Sequence, residues 1–188
     1  AIAYAHALLS YDPFPKEHIF PTVTPANGRT PIQELRERVY RGSEHRYGEV
    51  TDEVVQRIEY ELSIIEEKHF VSYFLIMDEI VALASRSCGR GSAAASIVSY
   101  SLGITNDDPI AHDLYFERFL SPGRIDPPDI DVDFAWDERP RIFEEILAKF
   151  GKDHCARVAN HIFYRRRNAL RETARAWGQS DETITRFI

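Results

Sequence analysis

The chain has 188 residues, 44% of them hydrophobic and 28% charged, which is ordinary for a soluble globular protein with room for one sizeable core. No apolar run reaches transmembrane length and no signal-peptide pattern is present, so nothing points to export or a membrane. Cys88 and Cys155, far apart, make neither a CxxC pair nor a disulfide framework, which fits a reducing cytoplasm. The formal net charge of −7 speaks against nucleic acid as a partner only in sum. Between Arg157 and Arg175 stand six arginines and one acid, Glu172, a locally basic stretch on an acidic chain.

Residues 1–29 hold aromatics and the prolines at 13, 15, 21 and 25 without sustained periodicity, and read as a linker or wrapping segment. Thr30-Pro31 predicts a helix start, with Leu35 and Val39 inward and an end before Gly42. Thr51 caps a second helix through Val54, Ile58, Leu62 and Ile65, and a third runs about Val71 to Ala84. All three read as packing elements without chemistry.

Cys88 to Ser96 (CGRGSAAAS) has two glycines and small side chains that let a ligand approach the backbone. Ser92 is placed to cap a helix running from Ala93 to Leu102, whose free amides and dipole favour a phosphate beside Arg90. An ordinary serine-capped glycine turn fits the same residues. The spacing matches neither the Walker loop nor GxGxxG. Gly103 predicts a helix end, Asn106 to Pro109 a turn, and Arg118 either a surface charge or one that reaches a triphosphate or an acid.

Pro127-Pro128 sets an extended approach to Asp129-Ile130-Asp131-Val132-Asp133-Phe134. The alternation is that of a β-strand, with Asp129, Asp131 and Asp133 on one face and the apolar residues on the other. Three like charges on a face repel unless a cation offsets them, and oxygen-only ligands suit Mg²⁺ before Zn²⁺. An exposed edge strand, screened by water, is the alternative. Trp136 to Phe150 then reads as an amphipathic helix ended by Gly151. Cys155 to Tyr164 reads as a second strand or a buried connection. A helix from Asn168 to Trp177 sets Arg167, Arg171 and Arg175 on one face, and Ser180 caps a last helix. The histidines show no metal-ligand spacing.

The order GRGSAAAS, FERFLSPGR, PPDIDVDF, KFG and RNALRETARAWG resembles the catalytic alpha subunit of bacterial DNA polymerase III, the C-family polymerases, from about Thr30 onward. HIFYRRRNALRETARAWG looks more like the error-prone, damage-response branch than the replicative one. The resemblance implies an α+β fold: a polymerase-β-like nucleotidyltransferase palm, a small sheet carrying the acidic strand with helices around it. Its implied layout is a linker at 1–30, a helical part at 31–86, and a palm core at 87–188 with the start of the following helical region.

The implied activity is that of a DNA-directed DNA polymerase, template-directed nucleotidyl transfer with two Mg²⁺ ions, for which Mn²⁺ can substitute. Asp129, Asp131 and Asp133 would be its catalytic acids, with Asp129 and Asp131 as metal ligands. Arg90, Gly91, Ser92 and Arg118 would bind nucleotide phosphate. Arg165, Arg166, Arg167, Arg171 and Arg175 would face DNA. The implied partners are primer–template DNA, deoxynucleoside triphosphates, and a sliding clamp with other replication or repair proteins through parts absent here; the implied setting is the bacterial cytoplasm, at the nucleoid. The family's third carboxylate and its lysine companion fall beyond Ile188, so the chain reads as a piece of something longer and is expected to be inactive alone. Two rivals stand beside this reading: a non-templated nucleotidyltransferase, and a non-catalytic DNA-binding or scaffold module that kept the palm.

Overall fold

Thr30 starts helix α1 (Pro31–Tyr47) with a reciprocal cap: its hydroxyl accepts from the Gln33 amide while the Gln33 side chain accepts from the Thr30 amide. The computed structural model describes residues 20–123, 127–158, 160–161 and 163–187, so the first 19 residues of the expected linker lie outside the described residues. Helix α1 does not stop before Gly42, as expected, but runs through it to a cap at Gly48. Packing is the reason. A Cβ on Gly42 would lie 1.9 Å from the carbonyl oxygen of Ser101, so the glycine admits a neighbouring backbone instead of ending the helix. Beside it, the hydroxyls of Ser43 and Ser101 meet at 2.8 Å.

Thr51 caps α2 (Asp52–Glu67), whose Val54, Ile58, Leu62 and Ile65 are buried at the predicted spacing. Helix α3 (Val71–Val81) buries Phe74 and Leu75. Arg38 of α1 reaches Asp78 of α3 at 2.8 Å, tying these two helices at their rim. The apolar faces meet in one core that continues through Ile97, Val98, Phe116, Phe119 and Leu120 to Ile130.

The predicted helix over 93–102 is broken. Gly91–Ala95 forms a 3₁₀ turn, Ser96 is extended, and α4 is only Ile97–Ser101. The cap is Ser96, whose hydroxyl accepts from the Ser99 amide, and not Ser92.

Strand β1 (Ser87–Arg90) pairs antiparallel with β2 (Asp131–Phe134), in the register Ser87 to Phe134, Cys88 to Asp133, Gly89 to Val132 and Arg90 to Asp131. The fold is therefore α+β, mostly helical, with a small two-stranded sheet that carries the acidic strand. Helix α5 (Arg139–Phe150) follows, burying Ile142.

The chain divides after Lys149 into two compact units. In the second, α6 (Arg166–Ala176) and α7 (Asp181–Phe187) are joined through Gly178 and Ser180, whose hydroxyl accepts from the Thr183 amide. The described residues between Cys155 and Tyr164 form neither a strand nor a buried connection, contrary to expectation, and Val158 is 91% exposed. No helix among the described residues is long and apolar enough to cross a membrane.

Candidate functional site

The antiparallel β1–β2 pair brings the glycine stretch and the acidic stretch together. Ile130 is buried and Val132 half-buried against the core, so the alternating acids of β2 are turned outward, as the sequence pattern demands. The strand is shorter than the alternation. It begins at Asp131, and Asp129 sits in the extended approach, exposed. Two causes set that limit. Pro127 and Pro128 have no amide to donate, and across the ladder the partner strand ends at Arg90, after which Gly91, with a φ of +74°, turns the chain away.

Arg90 stands directly opposite Asp131. Its guanidinium reaches both outward acids: Nη1 is 3.2 Å from Asp131 and Nε is 3.1 Å from Asp133. One cation thus bridges a facing residue and its diagonal neighbour, the two contacts a pleated pair allows. The site is open, with the side chains of Arg90, Asp131 and Asp133 at 59%, 40% and 66% exposure.

Three features fix the strand pair. At its base, the Glu138 carboxylate accepts from the amides of Ser85 (3.2 Å) and Arg86 (3.3 Å) and from the Ser85 hydroxyl (2.6 Å). The Ser85 hydroxyl in particular holds this carboxyl below its usual range. Arg86 forks onto both oxygens of Asp137 at 2.8 and 2.9 Å. Midway, β1 passes so close to the 104–105 segment that a Cβ on Gly89 would lie 2.3 Å from the Ile104 carbonyl oxygen. On the α3 side, Tyr73 meets the Ile130 backbone, and burial and the nearby charge of Asp129 raise its hydroxyl pKa. None of Glu138, Asp137 or Tyr73 stood out in the sequence.

Behind the 3₁₀ turn lies a sealed arginine–carboxylate pair. Glu61 of α2 is fully buried; its carboxylate accepts from Arg57 Nε (2.7 Å), Ser96 Oγ (2.7 Å) and the amides of Ile97 (3.0 Å) and Val98 (3.2 Å). Burial pushes this carboxyl up, against the pull of Arg57 and the Ile97 amide. Arg57 also donates to the carbonyls of Ala95 (2.9 Å) and Leu114 (2.8 Å). The start of α4 at Ile97, a few residues beyond the expected phosphate position at Ser92, therefore holds an internal carboxylate. The signal for this was present: Glu61 falls on the apolar stripe between Ile58 and Ile65.

The other predicted residues are placed less closely. Arg118 ends a 3₁₀ turn (Phe116–Arg118), exposed, and forms no ion pair with a described residue. Ser92 is half-buried beside Gly91. In the second unit Arg165, Arg166 and Arg167 are exposed at the start of α6. Arg175 is engaged, 3.0 Å from both Glu172 and Asp181.

As to a metal, the donor chemistry fits Mg²⁺. The set is oxygen-only, and two carboxylates are already gathered round one positive charge. Among the described residues no group of three or more histidine, cysteine or acidic side chains is placed to hold an ion.

The family model described as the bacterial DNA polymerase III alpha NTPase domain matches residues 33–188. The chain belongs to this family. Among its curated relatives are proteins named error-prone DNA polymerase from Nocardia farcinica, 41% identical over 189 residues, Bdellovibrio bacteriovorus, 42% over 174, and Sinorhizobium medicae, 43% over 190. These matches cover 96%, 90% and 98% of this chain but only 16–17% of the relatives' own length. Within the family, the similarity is to the error-prone branch.

Proposed function

We propose that this chain is the part of an error-prone C-family DNA polymerase that holds the metal and the phosphates of the incoming deoxynucleoside triphosphate. The observation that carries the reading is the β1–β2 register, which sets Arg90, Gly91 and the acids of β2 on one open edge. Asp131 and Asp129 would hold Mg²⁺, with Asp133 supporting them on the strand face. The chemistry supplied by bound Mg²⁺ is charge stabilisation of an in-line phosphoryl transfer and activation of the attacking hydroxyl. Arg90 offers a guanidinium to phosphate oxygens. Gly91 lets phosphate approach the backbone, Asp131 being the nearest group to the space a Cβ would fill there, at 3.8 Å. Arg118, exposed, is available to the same phosphates. Template-directed extension is a property proposed for the whole protein; this chain is assigned binding.

The test is Mn²⁺-dependent binding of a deoxynucleoside triphosphate to the chain, beside Asp129→Asn and Asp131→Asn. Binding that requires the metal and falls at least tenfold in both variants supports the site. Equal binding in all three proteins removes it. For the arginines at and along α6, of which Arg165, Arg166, Arg167 and Arg175 are exposed and Arg171 is half-buried, we propose a DNA-facing role. Arg167→Ala with Arg171→Ala would weaken DNA binding and flatten its salt dependence by about two phosphate contacts; an unchanged slope would end that assignment.

A further inference from the structure

We infer that Arg90 is a displaceable counter-ion of the acidic strand: it occupies the cation position between Asp131 and Asp133 and is released when a divalent ion arrives. The inference rests on the proposed metal-holding role of these acids and adds a second role for Arg90, distinct from a fixed phosphate ligand.

Three observations carry it. The guanidinium is the only cation within ion-pair distance of either acid among the described residues, at 3.2 Å from Asp131 and 3.1 Å from Asp133. The strand pairing sets Arg90 beside these acids, because its Cα is the registered partner of Asp131. The group is 59% exposed, and ion pairs this open to water are held weakly. A divalent ion held by Asp129 and Asp131 brings twice the charge to Asp131, the acid it shares with Arg90, so it outcompetes a guanidinium held this weakly. The sealed pair Arg57–Glu61 could not exchange in this way, since Glu61 has no exposure and three further donors.

Release has a consequence for binding order. While Arg90 is paired, its positive charge is neutralised by carboxylates; once displaced, it is free for an anion. Metal and polyphosphate therefore bind with positive coupling, reciprocal by thermodynamic linkage.

The test uses the chain, its Arg90→Gln variant and Asp131→Asn, with Mn²⁺ alone and with inorganic tripolyphosphate. Mn²⁺ binding is read by electron paramagnetic resonance of the free ion. Arg90 is followed by its Nε–Hε nuclear magnetic resonance signal, identified by its absence from Arg90→Gln, during addition of diamagnetic Mg²⁺. The expected result is Mn²⁺ binding about fivefold tighter in Arg90→Gln than in the parent, the size of one exposed pair removed. The Arg90 Nε–Hε signal moves as Mg²⁺ saturates, and Mn²⁺ tightens tripolyphosphate binding more in the parent than in Arg90→Gln. If the parent binds Mn²⁺, Asp131→Asn does not, and Arg90→Gln binds no tighter, the counter-ion role falls while the metal site stands. If the parent and Asp131→Asn bind Mn²⁺ alike, or neither binds, both fall.

Discussion

Two of the arginine–carboxylate arrangements, Arg57–Glu61 at 2.7 Å and Arg90 with Asp131 and Asp133 at 3.2 and 3.1 Å, both lie within ion-pair distance. Burial separates them. Glu61 is inaccessible and saturated with donors, so it works as a structural latch that fixes the turn after β1. Asp131 and Asp133 face water with one shared cation, so their charge is only partly answered. Distance alone does not distinguish a latch from a binding site; the number of competing donors and the access of solvent do.

The contrast can be broken most sharply at Glu61. Glu61→Ala removes the buried anion and leaves Arg57 and two α4 amides without their partner, so the chain should lose about 3–5 kcal/mol in denaturant unfolding. A loss under about 1 kcal/mol would mean that the pair is not sealed. Arg90→Gln, the open counterpart, should cost less than about 1 kcal/mol without metal, because water solvates both acids once they are freed; a cost comparable to Glu61→Ala would make the Arg90 pair a latch too. The smallest effect concerns Glu138, a half-buried carboxylate at the foot of the strand pair. Its folded-state pKa lies below the ordinary value of 4.5, chiefly through the Ser85 hydroxyl. Its stabilisation is thus present above about pH 4.5 and is lost as pH falls through the lowered value. Melting curves of the parent and Glu138→Gln should differ at pH 7 and converge in acid. A difference that grows on acidification would reverse the sign.

Much of this was legible in the sequence, and the exceptions share a cause. The caps at Thr30, Thr51 and Ser180 and the outward acids of β2 follow from local rules, because a capping hydroxyl or an alternating strand acts within a few residues. The partner strand was not legible. Ser87 to Arg90 has no β-branched or aromatic residue and two small ones, so it signals a turn, and only the ladder to β2 makes it a strand. Gly42 is the same lesson in a helix: it reads as a stop, yet it is the point where Ser101 approaches. Ser92 lost the cap to Ser96 because Glu61, distant in sequence, gathers the amides that follow Ser96. In the second unit the arginine spacing was read correctly, but Asp181, which engages Arg175, comes from the next helix.

The Glu138 clamp makes the site a matter of counting. It grips the chain just before β1 from a point just after β2, so the two short strands are pinned at one end, and the frame of their pairing follows from the number of residues between Phe134 and Glu138. Because side chains alternate, a loss of one residue between Phe134 and Glu138 would offer a frame in which the acids point at the core and Val132 at water. Length there sets the reading frame of the strand pair, which is kept by a glutamate that lies outside both strands.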